Sequence, residues 1–210
     1  MMDIREIAQD LFLLEEYGFD VSTGLLITYN GNLVFVIQNP DRWITSGRQK
    51  EAGVVGVGGK LEHGETVVGC VKRECKEEIC TDVEVLNSEV TYIVTDEYVD
   101  TFTLGGVEKP RPYCITRLKE RDPRRGAHTV VFSYKGEIDE EPIPGDVSAV
   151  LLAEEATLRH LWSTPTTVKS LRGHSTEIIE RIRLPDDLRL VPCGTLLTYL
   201  KLKYWHNIEL

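Results

Sequence analysis

Hydrophobic and polar residues alternate along this chain with two different periods, which divide it into predicted helices and strands. In residues 1–20 apolar residues recur at helical intervals up to Gly18, a residue suited to a helix end, so we predict an N-terminal helix. Residues 24–38 contain two β-prone runs on either side of Asn30 and Gly31. Because Asn-Gly strongly favours a two-residue turn, this segment is predicted to be a β-hairpin.

The middle of the chain combines one strong helical pattern with several strand patterns. Residues 41–59 are polar and rich in glycine, which favours a loop with a short strand. After Thr66, a residue suited to capping a helix, residues 67–79 alternate apolar and charged faces, as a helix packed on a sheet does. The remaining predictions are strands at 83–94, 113–118, 128–138 and 147–152, a long connection at 96–111 and a helix at 154–161.

The end of the chain, residues 162–210, is predicted to be a helical extension packed on the core. Helical patterns at 176–183 and 195–204 are separated by Pro185, which interrupts a helix. Taken together, helices separated by several strands indicate an α/β (α+β) fold, in which a mixed sheet is sandwiched by helices.

Composition narrows the classes of function. The chain has 210 residues, a net charge of −10 and a pI near 5.1, which argues against nonspecific nucleic-acid binding, because phosphate backbones are held by clustered Lys and Arg. Apolar runs fall far short of the ~20 residues that span a bilayer, and the first residues lack a signal-peptide pattern, so we expect no membrane association and a cytoplasmic location. The five cysteines, without CxxC spacing, suggest neither a disulfide framework nor structural zinc.

The predicted helix at 67–79 carries an unusual concentration of acidic residues. Glu74, Glu77 and Glu78 follow Arg73 directly, and residues three and four positions apart share one face of a helix. Like charges on one face repel each other, and a divalent cation compensates them most completely. The pattern therefore predicts a site for a hard metal ion, with a solvated acidic face as the plainer alternative.

The spacing of these residues and of two upstream residues resembles the Nudix box, G-x5-E-x7-R-E-U-x-E-E-x-G-U. The matching positions are Gly59, Glu65, Arg73, Glu74, Glu77 and Glu78, with Cys75 at the first apolar position. The sequence departs from the pattern where Cys80 replaces the last glycine and Thr81 the last apolar residue. The helix end thereby loses the residue best suited to a left-handed cap, so we expect the helix to end differently, at a strain of about 1 kcal/mol.

The resemblance implies a fold, a reaction and a cofactor. It implies a Nudix-like α/β/α sandwich as the catalytic domain, over residues 21–161, between the N-terminal helix (1–20) and the C-terminal extension (162–210). The implied reaction is hydrolysis of the pyrophosphate bond of a nucleoside diphosphate linked to another moiety, with water attacking phosphorus and Mg²⁺ or Mn²⁺ as cofactor. Nudix proteins often dimerise, so a homodimer is also expected.

The resemblance also assigns roles to residues. Glu74, Glu77, Glu78 and the Gly58 carbonyl are the implied metal ligands, and Glu78 or Glu77 is the candidate that aligns or deprotonates the water. Arg73 would orient the glutamates, and Glu65 would anchor Arg73. A later loop supplies a further carboxylate in some Nudix enzymes, and here the candidates are Glu140, Glu141 and Asp146. We favour Glu141, against the alternative that these residues form an acidic surface loop.

Substrate residues are harder to predict. Tyr98 lies 17 residues past Thr81, a placement similar to the tyrosine marker of diadenosine polyphosphate hydrolases. Residues 109–125 are basic, so they would hold phosphates or else form a solvated loop. The candidates for phosphate binding are Arg111, Arg117, Arg124 and Arg125, and those for base stacking are Tyr98, Tyr113 and Trp43.

Two other classes of function share the family's fold. One is a non-catalytic Nudix module that senses a nucleotide, for which eroded box carboxylates and an attached partner domain would be expected. The other is an isoprenoid diphosphate isomerase, which needs a catalytic cysteine and a separate metal cluster. The intact carboxylates favour the hydrolase, with a nucleotide-derived small molecule as its substrate.

Overall fold

The computed structural model describes residues 20–95, 97–102, 110–118, 129–173 and 176–210. The helix predicted for residues 1–20 lies outside the described residues, except for Asp20, which begins the first strand. None of the helices in the described part of the chain is long and apolar enough to span a membrane.

The described residues form one mixed sheet with helices on both of its faces. The strands are β1 (Asp20–Tyr29), β2 (Asn32–Ile37), β3 (Ile44–Ser46), β4 (Gln49–Val55), β5 (Glu84–Leu86), β6 (Thr91–Val94), β7 (Val99–Phe102), β8 (Cys114–Leu118), β9 (Thr129–Glu137), β10 (Ala149–Ala153), β11 (Thr166–Thr167), β12 (Glu177–Glu180) and β13 (Arg189–Pro192). The helices are α1 (Val67–Ile79), α2 (Glu155–Ser163), α3 (Val168–Arg172) and α4 (Gly194–Trp205), and a short 3-10 turn spans Pro40–Arg42.

Strand β1 lies at the centre of the sheet. It pairs with β9 in parallel and with β2 in antiparallel orientation. The turn between β1 and β2 is formed by Asn30 and Gly31, which both have positive φ angles, 46° and 79°. Two successive positive φ angles define the turn type that Asn-Gly favours, so the predicted hairpin is confirmed.

Two apolar clusters lie on opposite faces of the sheet, and each is covered by helices. On one face, α1 buries Val67, Val71 and Ile79 against Leu25 and Ile27 of β1. On the other face, α2, α3 and α4 bury apolar residues that include Leu158, Leu171, Leu196 and Leu200. The predicted sandwich of helices around a mixed sheet is therefore confirmed.

Helix α1 begins as predicted but ends in an unexpected way. The Thr66 hydroxyl accepts a hydrogen bond from the Gly69 amide at 3.0 Å, which satisfies one free amide at the helix start. At the other end, Cys80 itself adopts the left-handed conformation, with φ 55° and ψ 28°. The expectation that the helix would end differently without the glycine is wrong, because the cysteine accepts the backbone geometry that glycine would adopt more easily.

Three amides of the loop before β10 continue the capping of α1. Ile143, Gly145 and Asp146 donate their backbone N–H groups to the carbonyls of Ile79, Glu78 and Glu77 at 3.0, 2.8 and 2.9 Å. A Cβ atom on Gly145 would lie 2.0 Å from the Glu77 carbonyl oxygen, so a side chain at this position would prevent the close approach. The loop is thereby fixed to the end of the acidic helix.

Several element boundaries differ from the prediction because strand pairing is decided by distant partners. The helix predicted at 176–183 is wrong, since Glu177–Glu180 is strand β12, paired antiparallel with β10. The run 83–94 is two strands rather than one, because β5 pairs with β9 while β6 pairs with β7 and β8. The connection at 96–111 contains β7, and the loop at 41–59 contains the β3–β4 hairpin.

The segment expected to be a helical extension also contributes to the sheet. Strand β13 pairs in parallel with β4, and β11 pairs with β13. Helix α4 then packs on β1 and β4. Residues 162–210 therefore supply strands β11, β12 and β13 as well as helices α3 and α4.

Candidate functional site

A pocket of about 730 Å³ opens beside the acidic helix. Among the described residues, one wall is formed by the α1 glutamates and the Gly58–Gly59 backbone. Strands β1, β8 and β9 contribute polar and small apolar side chains, and the 3-10 turn contributes Arg42. The first residues of α4 complete the lining.

Arg73 organises the acidic residues of α1 through a network of hydrogen bonds. Its guanidinium binds Glu65 with two parallel bonds, from Nε to Oε1 at 3.0 Å and from Nη2 to Oε2 at 3.1 Å. Nη1 donates to Glu74 Oε1 at 2.7 Å and to Glu77 Oε2 at 3.0 Å. A two-pronged arginine–carboxylate pair fixes both orientation and distance. The contacts expected of Arg73 and Glu65 are thus present, and their role in catalysis stays a prediction.

Glu78 is held by the backbone that precedes α1 and not by Arg73. Its Oε2 accepts a hydrogen bond from the Gly58 amide at 3.0 Å. Gly58 has φ +150°, and a Cβ atom there would lie 2.3 Å from the Thr23 carbonyl oxygen. A Cβ on Gly59 would lie 2.1 Å from Glu74 Oε1. The two glycines therefore allow the backbone to reach the carboxylates, which no larger residue would permit.

The electrostatic surroundings of the carboxylates differ. The Arg73 hydrogen bonds lower the pKa of Glu65, which keeps this residue ionised. Burial raises the pKa of Glu74 despite the same arginine. Burial, assisted by the charges of Glu74 and Asp146, raises the pKa of Glu78 to about 8, although the Gly58 hydrogen bond and the Arg42 charge act in the opposite direction. Among the described residues, burial and neighbouring negative charges thus outweigh the nearby cations at Glu74 and Glu78.

The fit of this site to a divalent cation depends on its donor set. In the described part of the chain, no three Asp, Glu, His or Cys side chains stand in an arrangement that could hold a metal ion directly. The hydrogen bonds explain this, since Arg73 draws Glu74 and Glu77 towards itself while Gly58 draws Glu78 away. The donors are nevertheless carboxylate oxygens that line a polar pocket, and carboxylate oxygens are the ligands that Mg²⁺ and Mn²⁺ prefer.

Of the loop carboxylates considered from the sequence, Asp146 lies at the pocket. It lines the cavity, and its charge raises the pKa of both Glu74 and Glu78. Glu140 and Glu141 are exposed and do not belong to the described lining. The sequence could not separate the three, because loop geometry decides which carboxylate faces the helix.

The candidate substrate residues that the structure describes lie outside the described pocket lining. Tyr98 is 41% exposed at the β6–β7 turn, and Arg111 hydrogen-bonds through its backbone to Asn87 and Ser88; neither belongs to the pocket lining that the structure describes. Tyr113 is buried in the core, and the Trp43 indole donates to the Gln38 carbonyl. Arg117 lies on β8 but is absent from the described lining. Arg124 and Arg125 lie outside the described residues.

The C-terminal helix contributes residues that sequence reasoning missed. Gly194 and Thr195, the first residues of α4, line the pocket. Thr195 lies against Gly24 of β1 and Gly56, which follows β4. A Cβ on Gly24 would be 1.9 Å from the Thr195 hydroxyl oxygen, and a Cβ on Gly56 would be 2.9 Å from the Thr195 Cβ. The glycines were visible in the sequence, but their shared partner was not.

Comparisons with known proteins give one family match and several similar solved structures. The sequence model of the NUDIX domain matches residues 18–179. No curated protein matches the chain. One similar solved structure is a MutT NUDIX hydrolase from Burkholderia pseudomallei, with 16% sequence identity and a TM-score of 0.40 over 87% of this chain and 95% of that chain. A NUDIX-family hydrolase from Clostridium perfringens has 13% identity and a TM-score of 0.44 over 68% of this chain and 85% of that chain. The E. coli dihydroneopterin triphosphate pyrophosphohydrolase has 14% identity and a TM-score of 0.42 over 67% of this chain and 86% of that chain. At this level of similarity the three structures say nothing about the substrate of this chain.

Proposed function

This chain belongs to the Nudix family, and we propose that it is a hydrolase of the pyrophosphate bond in a nucleoside diphosphate linked to another moiety, with Mg²⁺ or Mn²⁺ as cofactor. The observation that carries the proposal is the arrangement around Arg73, which holds Glu65, Glu74 and Glu77 together at the edge of a polar pocket while Gly58 holds Glu78. A solvated acidic face would have no reason to be organised in this way.

We assign the metal to Glu74, Glu77 and Glu78, with the Gly58 carbonyl as a further ligand. Asp146 replaces Glu141 as the loop carboxylate, because it lines the pocket and acts electrostatically on Glu74 and Glu78. When bound there, the cation would neutralise charge that develops on the phosphate oxygens and would acidify the attacking water.

The chain's own residues perform the other parts of the reaction. Glu78 or Glu77 accepts the proton of the attacking water at a carboxylate oxygen. Arg73 orients the glutamates, and the paired hydrogen bonds from Glu65 keep Arg73 in place. Arg42 lines the pocket as a cation and is available to phosphate oxygens of the substrate. Lys60 also lines the pocket, with its ammonium group paired to Asp20 at 2.7 Å.

A panel of dinucleotides, nucleotide sugars and nucleoside triphosphates tests the proposal. We expect release of phosphate or nucleotide that requires Mg²⁺ or Mn²⁺ and that falls about 100-fold or more in Glu78→Gln. Glu140→Gln is the matched control, because it makes the same change at an exposed carboxylate outside the described pocket lining. Binding of a nucleotide without cleavage of any substrate would instead support the alternative, a non-catalytic nucleotide sensor.

The choice between the two loop carboxylates has its own test. Asp146→Asn should raise the Mn²⁺ concentration for half-maximal activity about tenfold, which is a typical cost of removing a group that supports a metal site. Glu141→Gln should leave that concentration unchanged, since Glu141 is exposed and outside the described lining. The reverse result would restore Glu141 as the ligand. The cytoplasmic location and the homodimer stay predictions.

A further inference from the structure

A cluster of hydrogen bonds lies behind Asp146 and connects it to the C-terminal part of the chain. Arg181, just past the end of β12, donates from Nε to the Val147 carbonyl at 2.6 Å and from Nη2 to Asn39 Oδ1 at 3.0 Å. Asn39 in turn donates from Nδ2 to the Asp146 carbonyl. The same Asn39 Oδ1 also accepts a bond from the Ser148 hydroxyl at 3.2 Å.

The backbone of Asp146 is thus held from two directions. Its amide donates to the Glu77 carbonyl at the end of α1, at 2.9 Å. Its carbonyl accepts the bond from Asn39, and the carbonyl of the next residue, Val147, accepts the bond from Arg181. Fixing the peptide groups on both sides of a residue restricts the directions in which its side chain can point.

Arg181 is itself placed by backbone pairing and not by an opposite charge. Its amide donates to the Ser148 carbonyl at 3.0 Å, and β12 pairs with β10 at Ala149 and Glu180. Among the described residues, the acceptors of its guanidinium are neutral oxygens. Arg181 also lies past residue 179, where the match to the NUDIX domain ends.

We infer that Arg181 is a positioning residue that, together with Asn39, fixes the Asp146 backbone so that its carboxylate faces the metal site beside Glu74 and Glu78. The inference rests on the proposed function, because it takes Asp146 as part of that site. It means that a residue beyond the family match controls one of the carboxylates of the pocket.

The sign of the expected effect separates positioning from simple charge. Removing a positive charge near a cation site favours the bound cation, so a purely electrostatic role predicts tighter metal binding in Arg181→Ala. Loss of positioning predicts weaker binding. Arg183→Ala is the matched control, because Arg183 is also exposed, lies two residues further on and makes no hydrogen bond or ion pair with the described residues.

The test measures Mn²⁺ binding to the full chain without substrate, by the loss of the free Mn²⁺ signal in electron paramagnetic resonance. We expect Arg181→Ala to weaken Mn²⁺ binding about tenfold, at the lower end of the range found for residues that orient metal ligands, and Arg183→Ala to leave it unchanged or slightly tighter. Arg181→Lys keeps the charge but not the two-armed geometry, so it should behave like Arg181→Ala.

A second variant tests the connection through Asn39. Asn39→Ala should also weaken Mn²⁺ binding. The double variant with Arg181→Ala should bind Mn²⁺ little more weakly than the weaker-binding single variant, because Arg181 is hydrogen-bonded to Asn39 and the two hold neighbouring peptide groups, at the carbonyls of Val147 and Asp146. Thermal unfolding of each variant shows whether it folds, and Arg181→Lys keeps the test valid if Arg181→Ala does not.

The outcomes are distinct. Mn²⁺ binding that is unchanged or tighter in Arg181→Ala and Arg181→Lys overturns the inference. Wild-type protein that binds Mn²⁺ but hydrolyses no substrate overturns the proposed function alone, and the comparison of variants still decides the role of Arg181. Wild-type protein that binds no Mn²⁺ overturns both.

Discussion

Helix α1 and the C-terminal segment from β12 to α4 meet at the same pocket but contribute to it by different means. Helix α1 contributes charged side chains, which Arg73 holds in place from within the helix. The C-terminal segment contributes backbone and close packing: Arg181 holds the Asp146 loop, and Thr195 lies against Gly24 and Gly56. One side of the pocket depends on neighbours in sequence, and the other depends on contacts between distant residues.

This difference explains why the two regions were predicted unequally well. Residues of a helix three or four positions apart share a face wherever the helix lies, so the arrangement of charges on α1 follows from spacing alone. The contribution of α4 requires β13 to pair with β4 and Thr195 to meet two glycines more than a hundred residues earlier in the chain. Such contacts exist only after the sheet has formed.

The largest effect is expected from removing the hydrogen bonds that Arg73 makes on α1. Arg73→Ala removes the hydrogen bonds that hold Glu65, Glu74 and Glu77, so kcat/KM should fall about 10- to 100-fold. Lys76→Ala is the control on the same helix, since Lys76 is exposed and pairs with Asp82 away from the pocket. Steady-state kinetics of both variants checks this, and equal losses would mean that only the charge of the helix matters.

A smaller effect is expected from disturbing the contact between Thr195 of α4 and Gly24 of β1. Gly24→Ala places a methyl group 1.9 Å from the Thr195 hydroxyl oxygen, and overpacking of this kind costs about 1–3 kcal/mol of unfolding free energy. Thr195→Ala removes that oxygen, so the double variant should recover part of the loss. Denaturant unfolding measures the coupling between the two sites.

Thr198→Ala is the matched control for that coupling. Thr198 is also a buried threonine of α4, and it is not among the nearest neighbours of Gly24. Combined with Gly24→Ala it should rescue nothing. Rescue by Thr198→Ala to the same extent would show that a looser α4, and not the contact of Thr195 with Gly24, relieves the strain.

The smallest effect concerns the end of α1, where the sequence departs from the Nudix pattern. Cys80 has φ 55°, a conformation that costs an ordinary residue roughly 1 kcal/mol more than glycine. Cys80→Gly should therefore gain about 0.5–1 kcal/mol of unfolding free energy from the relieved strain. The greater backbone freedom of glycine in the unfolded chain offsets part of this gain. Thermal unfolding tests this, and a loss of stability would mean that the cysteine side chain packs usefully against the loop at Gly145.

Several features were correctly predicted because they depend on local physical rules. The Asn30–Gly31 turn, the Thr66 cap and the boundaries of α1 each follow from the preferences of a few neighbouring residues. The helix predicted at 176–183 failed for the opposite reason. Its residues Ile178 and Ile179 suit a strand as well as a helix, and the free edge of β10 decided between the two.

The candidate site divides in the same way. Spacing along the chain is enough to show which residues of α1 share a face and which glycines precede them, because helical periodicity and a fixed motif spacing act over short distances. Contacts between distant residues bring Asp146 and not Glu141 to the pocket, place Arg181 and Asn39 behind it, and make Thr195 part of the wall. A loop or strand takes its position from the partners it finds across the sheet, and those partners are set by packing of the whole chain.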